Sequence, residues 1–247
     1  MSSNGQAPEL ASAGVFAYPA GHTVELHTHP TGQLIHAVSG VMRTTTPQGT
    51  WVLPPTRAMY VPADVTHTHH VIGKALMHTL DLRWPEATEA PRLLAVTPAA
   101  REIISALVHG RAHPDRVDAY LAVLLDQLQL ADPIDLAVPS CADPLLKPLL
   151  DALLANPADT ATLAQWGARL GASSRTLARR FHTEVGMSFD EWRRRARMAR
   201  ACELVSCGYT VQATAHAVGY ASASAFVHAF RQLTGTTPLR AAGRNDT

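Results

Sequence analysis

Two groups of residues in this 247-residue chain have types and spacings suited to chemistry. The first lies in "GHTVELHTHPTGQLIHAVSG", Gly21 to Gly40, where His27 and His29 stand two apart. On an extended strand that spacing turns both imidazoles to one side. Neutral imidazole is a good ligand for Zn, Fe, Ni, Cu or Mn. The second group is a repeated segment, "SSRTLARRFHTEVG" and "SASAFVHAFRQLTG", whose copies superimpose at a shift of 49 residues. Ser173 then meets Ser222, Leu177 meets Phe226, Phe181 meets Phe230 and Gly186 meets Gly235. Each copy follows a short helix-forming stretch and a glycine turn, "RLGAS" in one and the longer "AVGYAS" in the other. Two short helices joined by such a turn form a helix-turn-helix.

The faces of the repeated helices divide cleanly. Leu177 and Phe181 lie four apart and pack inward, which leaves Arg175, Ala178, Arg179 and His182 as the outward stripe. In the second copy Phe226 and Phe230 pack, and Ser224, Val227, His228 and Arg231 face out behind Ser222. A helix seated in the major groove of double-stranded DNA presents such a stripe to base edges, and arginine to guanine is the commonest specific contact. Thr176 and Arg180 lie to the side, within reach of phosphate. Between the copies, "FDEWRRRARMARACELVSCG" sets an apolar face against Arg193, Arg194, Arg195, Arg197 and Arg200, candidates for further phosphate contacts. That helix is long enough to hold two reading helices about one turn of DNA apart, about 34 Å.

The elements that must position these groups follow from the pattern. Val15 to Trp84 reads as short β-branched strands broken by Gly and Pro, a sandwich or barrel. From Thr97 the pattern turns helical, with Thr97 as N-cap and Pro98 in the first turn. Val117, Tyr120, Leu121, Leu124, Leu125 and Leu128 form one apolar stripe, which suits either packing on the same domain or a homodimer seam. "ADPIDLAVPSCADP" reads as a linker, and everything after it as helix. The expected division is a flexible tail over 1–14, a strand-rich domain over 15–96, a helical dimerisation and linker segment over 97–140 and a helical domain over 141–247.

Charge follows this division. The net charge is +1, yet residues from Lys147 onward carry thirteen basic against seven acidic side chains, a net of +6, while the preceding part carries −5. A neutral chain split this way suggests two domains with different partners, the basic one facing a polyanion. No apolar run of spanning length and no secretory leader is visible, so a cytoplasmic protein without a membrane partner is expected. The three cysteines, Cys141, Cys202 and Cys207, form no disulfide or zinc pattern.

Two resemblances sharpen this. "HAVGYASASAFVHAFRQLTGTTPLR" closely resembles the C-terminal signature of AraC/XylS-type transcriptional regulators, and the likeness covers about the last 100 residues. It implies that the first recognition helix is the stronger reader, with Arg175 and Arg179 where that family contacts bases. Val227 and His228 stand where a strong polar or basic contact is common, so less sequence readout is expected of the second helix. The stretch from Gly21 to Gly40 resembles the first cupin motif, with Gln33 in place of the usual Glu. "PADVTH", Pro62 to His67, resembles the second, with Asp64 where Gly is usual. On a cupin-like β-barrel His67 would come from a facing strand and complete a cluster of His27, His29, His67 and Gln33. His22, His36, His69 and His70 fall outside that set by parity or by lying in loops.

The expected fold is therefore α+β: an N-terminal cupin-like β-barrel followed by an all-α DNA-binding domain with two helix-turn-helix units. The expected function is a one-component transcription regulator, controlled by a small molecule or by a divalent transition metal (Zn, Fe, Ni, Cu or Mn) in the cupin domain. The histidines then serve either as ligands or as the lining of an organic effector pocket. A metal-dependent cupin enzyme with a helical appendage is the alternative, for which Glu25, Asp64 and Asp81 are the only acids near the motifs. A third reading is an architectural DNA binder that ignores effectors.

Overall fold

The computed structural model describes residues 8–84, 90–129, 137–234 and 237–241. Gly235 of the repeat and residues 1–7 of the expected tail lie outside them. Strand β1 already runs from Glu9 to Tyr18, so the expected tail boundary at residue 14 moves back into a strand. Its alternation of small and apolar residues gave no strong period, and its place is fixed by pairing with the far end of the sheet.

The N-terminal part is an eight-stranded antiparallel sheet built on two long strands, β3 (Gly32–Thr46) and β6 (His67–Arg83). The other strands are β2 (Thr23–His27), β4 (Gly49–Leu53), β5 (Arg57–Val61), β7 (Arg92–Ala95) and β8 (Val138–Pro139). β3 and β6 pair along most of their length, and each takes different partners at its two ends: β3 pairs β5 early and β4 late, β6 pairs β2 early and β1 late. The expected barrel is not closed. Among the described residues the path β1–β6–β3–β4–β8 has two free ends. The sheet folds over because β3 bends at register shifts between Ala37 and Val41. Gly40 sits at that bend with φ +75°, and a Cβ there would meet the Lys74 carbonyl oxygen at 2.1 Å, so only glycine fits.

Both sides of the sheet are covered, which is why β3 and β5 read as nearly continuous buried runs. One side carries Ile35, Met42, Trp51, Met59, Val71 and Met77 into one apolar cluster. Leu34, Tyr60, Leu80 and Leu82 on the other side meet helices α1 (Pro98–Val108) and α2 (Val117–Gln129). The Thr97 hydroxyl accepts the Ala100 amide, as its N-cap position required. The stripe on α2 resolves here. Leu121, Leu124, Leu125 and Leu128 are buried against their own sheet and α1, so this face is not available as the expected dimer seam.

Residues 131–136 of the expected linker lie outside the described residues, and its described part belongs to the architecture, since β8 pairs with β4 and extends the sheet. The helical part then runs α3 (Lys147–Ala155), α4 (Leu163–Leu170), α5 (Ser174–Arg180), α6 (Phe189–Ser206), α7 (Val211–Ala217), α8 (Ala223–Thr234) and α9 (Pro238–Ala241). Ser or Thr caps α4, α5, α6 and α7 by accepting the third amide of each, and at α4 Gln165 completes a capping box with Thr162. α5 passes into a π turn over Phe181–Val185 and stops at Gly186 with φ +76°. The long helix α6 lies on the sheet. Its Trp192 Nε1 donates to the Pro139 carbonyl at 2.7 Å, and its Glu203 binds Arg43 of β3 through Nε at 2.8 Å.

Candidate functional site

The two repeated units form as helix pairs, α4 with α5 and α7 with α8. Leu177 and Phe181 in one, and Phe226 and Phe230 in the other, are fully buried. Their chains turn alike: the Ala172 amide donates to the Gly167 carbonyl at 2.9 Å, and the Tyr220 amide to the Ala215 carbonyl at 2.8 Å. Arg175, Ala178, Arg179 and His182 are exposed along one side of the first unit, as are Ser224, His228 and Arg231 along the second, with Val227 half-buried. Ser222 caps α8, its hydroxyl accepting the Ala225 amide at 3.2 Å and lying 3.1 Å from that of Ser224. Thr176 is half-buried, with its hydroxyl 2.9 Å from that of Ser173.

Arg180 goes elsewhere. Instead of reaching outward to phosphate it forms an ion pair with Asp143, in the segment ahead of α3. Burial alone would raise the Asp143 carboxyl, but the Leu146 amide, Arg180 and the Leu145 amide together hold it below the usual carboxylate range. The arginine cluster of α6 is also mostly engaged within the molecule. Arg193 donates to the Ala161 carbonyl at 3.1 Å and to Asp190 at 2.8 Å. Arg195 pairs with Glu191, Arg197 donates to the Pro157 and Asp159 carbonyls, and Arg200 pairs with Glu203. Arg194 is the exposed member without a salt bridge among the described residues. Spacing on one helix showed the cluster and held its acid partners Asp190, Glu191 and Glu203, but not the Ala161, Pro157 and Asp159 carbonyls that come from outside the helix.

The histidines gather at one end of the sheet. His27 ends β2 and lies directly opposite His67, the first residue of β6, so His67 comes from the neighbouring paired strand and not from a facing one. His29 follows in the loop, held where its carbonyl accepts the Asp64 amide at 2.8 Å. Asp64 takes φ +59°, a left-handed conformation that explains why a glycine is usual at this place in the motif. His27, His29 and His67 each bring a ligand atom within 4.8 Å of the other two. The Nδ1–H of His27 donates to the Glu25 carbonyl at 2.6 Å and that of His67 to the Val65 carbonyl at 2.8 Å. Each bond leaves Nε2 with its lone pair bare. His67 is buried and its Nε2 has no hydrogen-bond partner. Such an orphaned nitrogen in the midst of other imidazoles suits a cation. Burial, and then the neighbouring rings His27 and His29, push the His67 pKa down, which favours the neutral imidazole a metal needs.

Gln33 and His69 depart from expectation. The Gln33 Nε2 donates to Asp81 Oδ1 at 2.9 Å and lies 3.1 Å from His29 Nε2. His69 stands against the cluster, outside the three whose ligand atoms lie within 4.8 Å of one another: it is two residues from His67, buried, and its ring centre lies 5.1 Å from that of His67 and 5.7 Å from that of His27. Burial, with the surrounding rings, lowers its pKa to about 3. The signal was present in "HTHH", since His67 and His69 share parity on one strand. His22 and His70 are exposed, and His36 is buried with its pKa lowered to about 4 by desolvation. Of the acids an enzyme would need, Glu25 and Asp64 are exposed and Asp81 is bound by Gln33 and Ser12.

Comparison with known proteins matches both parts of the chain to described domains. The profile described as an AraC-like ligand binding domain matches residues 9–177, and that described as a helix-turn-helix domain matches residues 166–244. The HTH-type transcriptional regulator NimR of Escherichia coli is 32% identical over 225 residues, 88% of this chain and 82% of that protein. The HTH-type transcriptional regulator RipA of Corynebacterium glutamicum is 40% identical over 86 residues, 35% of this chain and 26% of its own. Among solved structures, unsaturated fatty acid-bound ToxT of Vibrio cholerae aligns over 100% of this chain and 98% of its own at 10% identity, with a TM-score of 0.41. With a sheet-rich ligand-binding domain, two helix-turn-helix units and a relative matched along most of both chains, this protein belongs to the AraC family of transcriptional regulators.

Proposed function

We propose that this regulator reads DNA mainly through Arg175 and Arg179 of α5, and responds to a divalent transition metal held by His27, His29 and His67. The observation that carries the metal reading is the buried His67 Nε2, which lies unpartnered among rings whose other nitrogens are anchored. Three imidazoles suit Zn, Fe, Ni, Cu or Mn, and a bound cation would supply a fixed positive charge at the mouth of the sheet. Metal taken on one conformer shifts the DNA-bound population only by its difference in affinity between conformers. Ser222, Ser224, His228 and Arg231 contribute mainly backbone contacts, and Thr176 supports the first helix. The relatives' names favour a regulator over an enzyme. No described helix is long and apolar enough to cross a membrane, in keeping with a cytoplasmic protein. A homodimer remains part of the proposal, joined elsewhere than along Leu121–Leu128, and light scattering measures it.

The deciding experiment is elemental analysis of purified, untagged protein beside a His27→Ala/His29→Ala variant, with DNA affinity measured for both. Stoichiometric metal in the parent, absent from the variant, supports the metal reading. A metal-free parent that refuses added Zn, Co, Ni and Mn, yet binds DNA, makes the histidines the lining of a pocket for an organic effector.

A further inference from the structure

The fourth ligand expected of this cluster is Gln33, and its geometry excludes that role. A carboxylate only accepts hydrogen bonds, so the amide end of Gln33 that faces Asp81 must be its NH2. The same nitrogen is the one that faces His29. An amide nitrogen offers no lone pair to a metal. Gln33 is thus a hydrogen-bonding support between Asp81 and His29, and the corner it was expected to fill needs another donor.

His69 has the attributes of that donor. It is 1% exposed and projects from β6 on the same side as His67. Its Nδ1 lies 2.9 Å from Thr44 Oγ1, on the strand paired beside it. As at His27 and His67, Nδ1 is the anchored nitrogen, here by a hydroxyl in place of a backbone carbonyl. Ligating histidines are held in this way, the far nitrogen fixing tautomer and ring orientation. We propose that His69 is the fourth protein ligand, drawn in beside His27, His29 and His67 when a cation binds, with Gln33 outside the site, because its buried, anchored ring packs against those of His27 and His67 at this end of the sheet. The inference rests on the metal reading above. It adds that the site is closed to substrate, since four protein ligands fill the tetrahedral set of a Zn2+-like ion. The cation is then itself the signal, and an ion favouring tetrahedral nitrogen, such as Zn2+ or Co2+, is preferred over Mn2+.

Co2+ titration of the full chain tests this, reading visible absorption and affinity by chelator competition. The parent takes one Co2+ per chain with the intense absorption of a tetrahedral site. His69→Ala and the milder His69→Gln each weaken Co2+ binding about tenfold or more and reduce that absorption, while Gln33→Leu, which removes a support of His29 and no ligand, keeps the intense tetrahedral absorption at saturating Co2+. Circular dichroism of the metal-free forms checks folding. X-ray absorption on the parent zinc form counts imidazole ligands without any substitution, with four expected. Three imidazoles, or a spectrum that follows Gln33 and ignores His69, overturns the assignment while leaving a metal site in place. A parent that takes no Co2+ overturns the metal reading itself and the fourth ligand with it.

Discussion

The two helix-turn-helix units share a core and differ in what they show to solvent. Both bury two side chains four apart, both close their turn with the same backbone hydrogen bond, and both turn through a left-handed glycine, Gly171 at φ +67° and Gly219 at φ +82°. On the outside, α5 offers Arg175 and Arg179, whereas α8 offers Ser224, His228 and Arg231 around the half-buried Val227. The first unit is also tied down from behind, by the Arg180–Asp143 pair, for which the second has no counterpart among the described residues. Packing is therefore what the repeat preserves, and chemistry is what it varies. On the proposed reading, one unit discriminates bases and the other holds the backbone.

The comparison breaks most readily at the bases. Replacing Arg175 and Arg179 together by Ala should cost about 1–3 kcal/mol of specific DNA affinity per arginine and relax two base positions. Replacing Ser224 and His228 by Ala should shift affinity by about threefold or less, with sequence preference intact. Fluorescence anisotropy on the native operator and on base-substituted copies reads both; equal losses would make the units equivalent readers.

A smaller effect sharpens the comparison of the turns. A methyl added at Gly167 would stand 2.4 Å from the Ala172 carbonyl oxygen, in the shorter of the two turns. The longer second turn carries Ala215, buried, at the corresponding place. Gly167→Ala should destabilise the helical part by about 1–3 kcal/mol in denaturant titration. Ala215→Gly should cost about 1 kcal/mol. If Gly167→Ala is neutral, the first turn is not the tighter one.

Asp143 comes next. It accepts the Leu145 and Leu146 amides at 2.9 Å as well as pairing with Arg180. Asp143→Ala should lower stability by about 1 kcal/mol, as loss of an N-terminal cap does. It should also free Arg180, so that Arg180→Ala then affects DNA affinity where in the parent it does not. The smallest effect is on salt dependence. Arg194→Ala should reduce the slope of log affinity against log salt by about 1, whereas Arg197→Ala should lower the melting temperature and leave the slope alone. A reduced slope for Arg197 would mean that the helix surface reorganises on DNA.

What the sequence revealed was whatever a local pattern could carry. The cap at Thr97 and the inward pairs of the repeat rest on turn chemistry and on spacings of four residues, while the meeting of His67 with His27 and His29 rests on the resemblance to the two cupin motifs. The remainder needed partners far along the chain. Gln33 is claimed by Asp81 forty-eight residues away, Arg180 by Asp143 thirty-seven away and Arg43 by Glu203 one hundred and sixty away. An amphipathic stripe shows that α2 must be covered, and only the fold shows that its own sheet covers it. The failure of the barrel to close likewise depends on how β3 bends, which Gly40 permits but does not announce.

The anchoring of α6 has a consequence for the operator. Eighteen residues of helix span about 27 Å. With Arg193 and Arg197 fastened to the Ala161, Pro157 and Asp159 carbonyls and Glu203 to Arg43 of β3, this strut has little slack to lengthen, bend or turn. The regulator should thus behave as a ruler of fixed length and phase. Inserting one base pair between its two sub-sites would rotate the second by about a tenth of a turn and carry it away from α8, and five would put it on the far face of the duplex. Such a protein finds its promoters by the distance between two words as much as by their spelling.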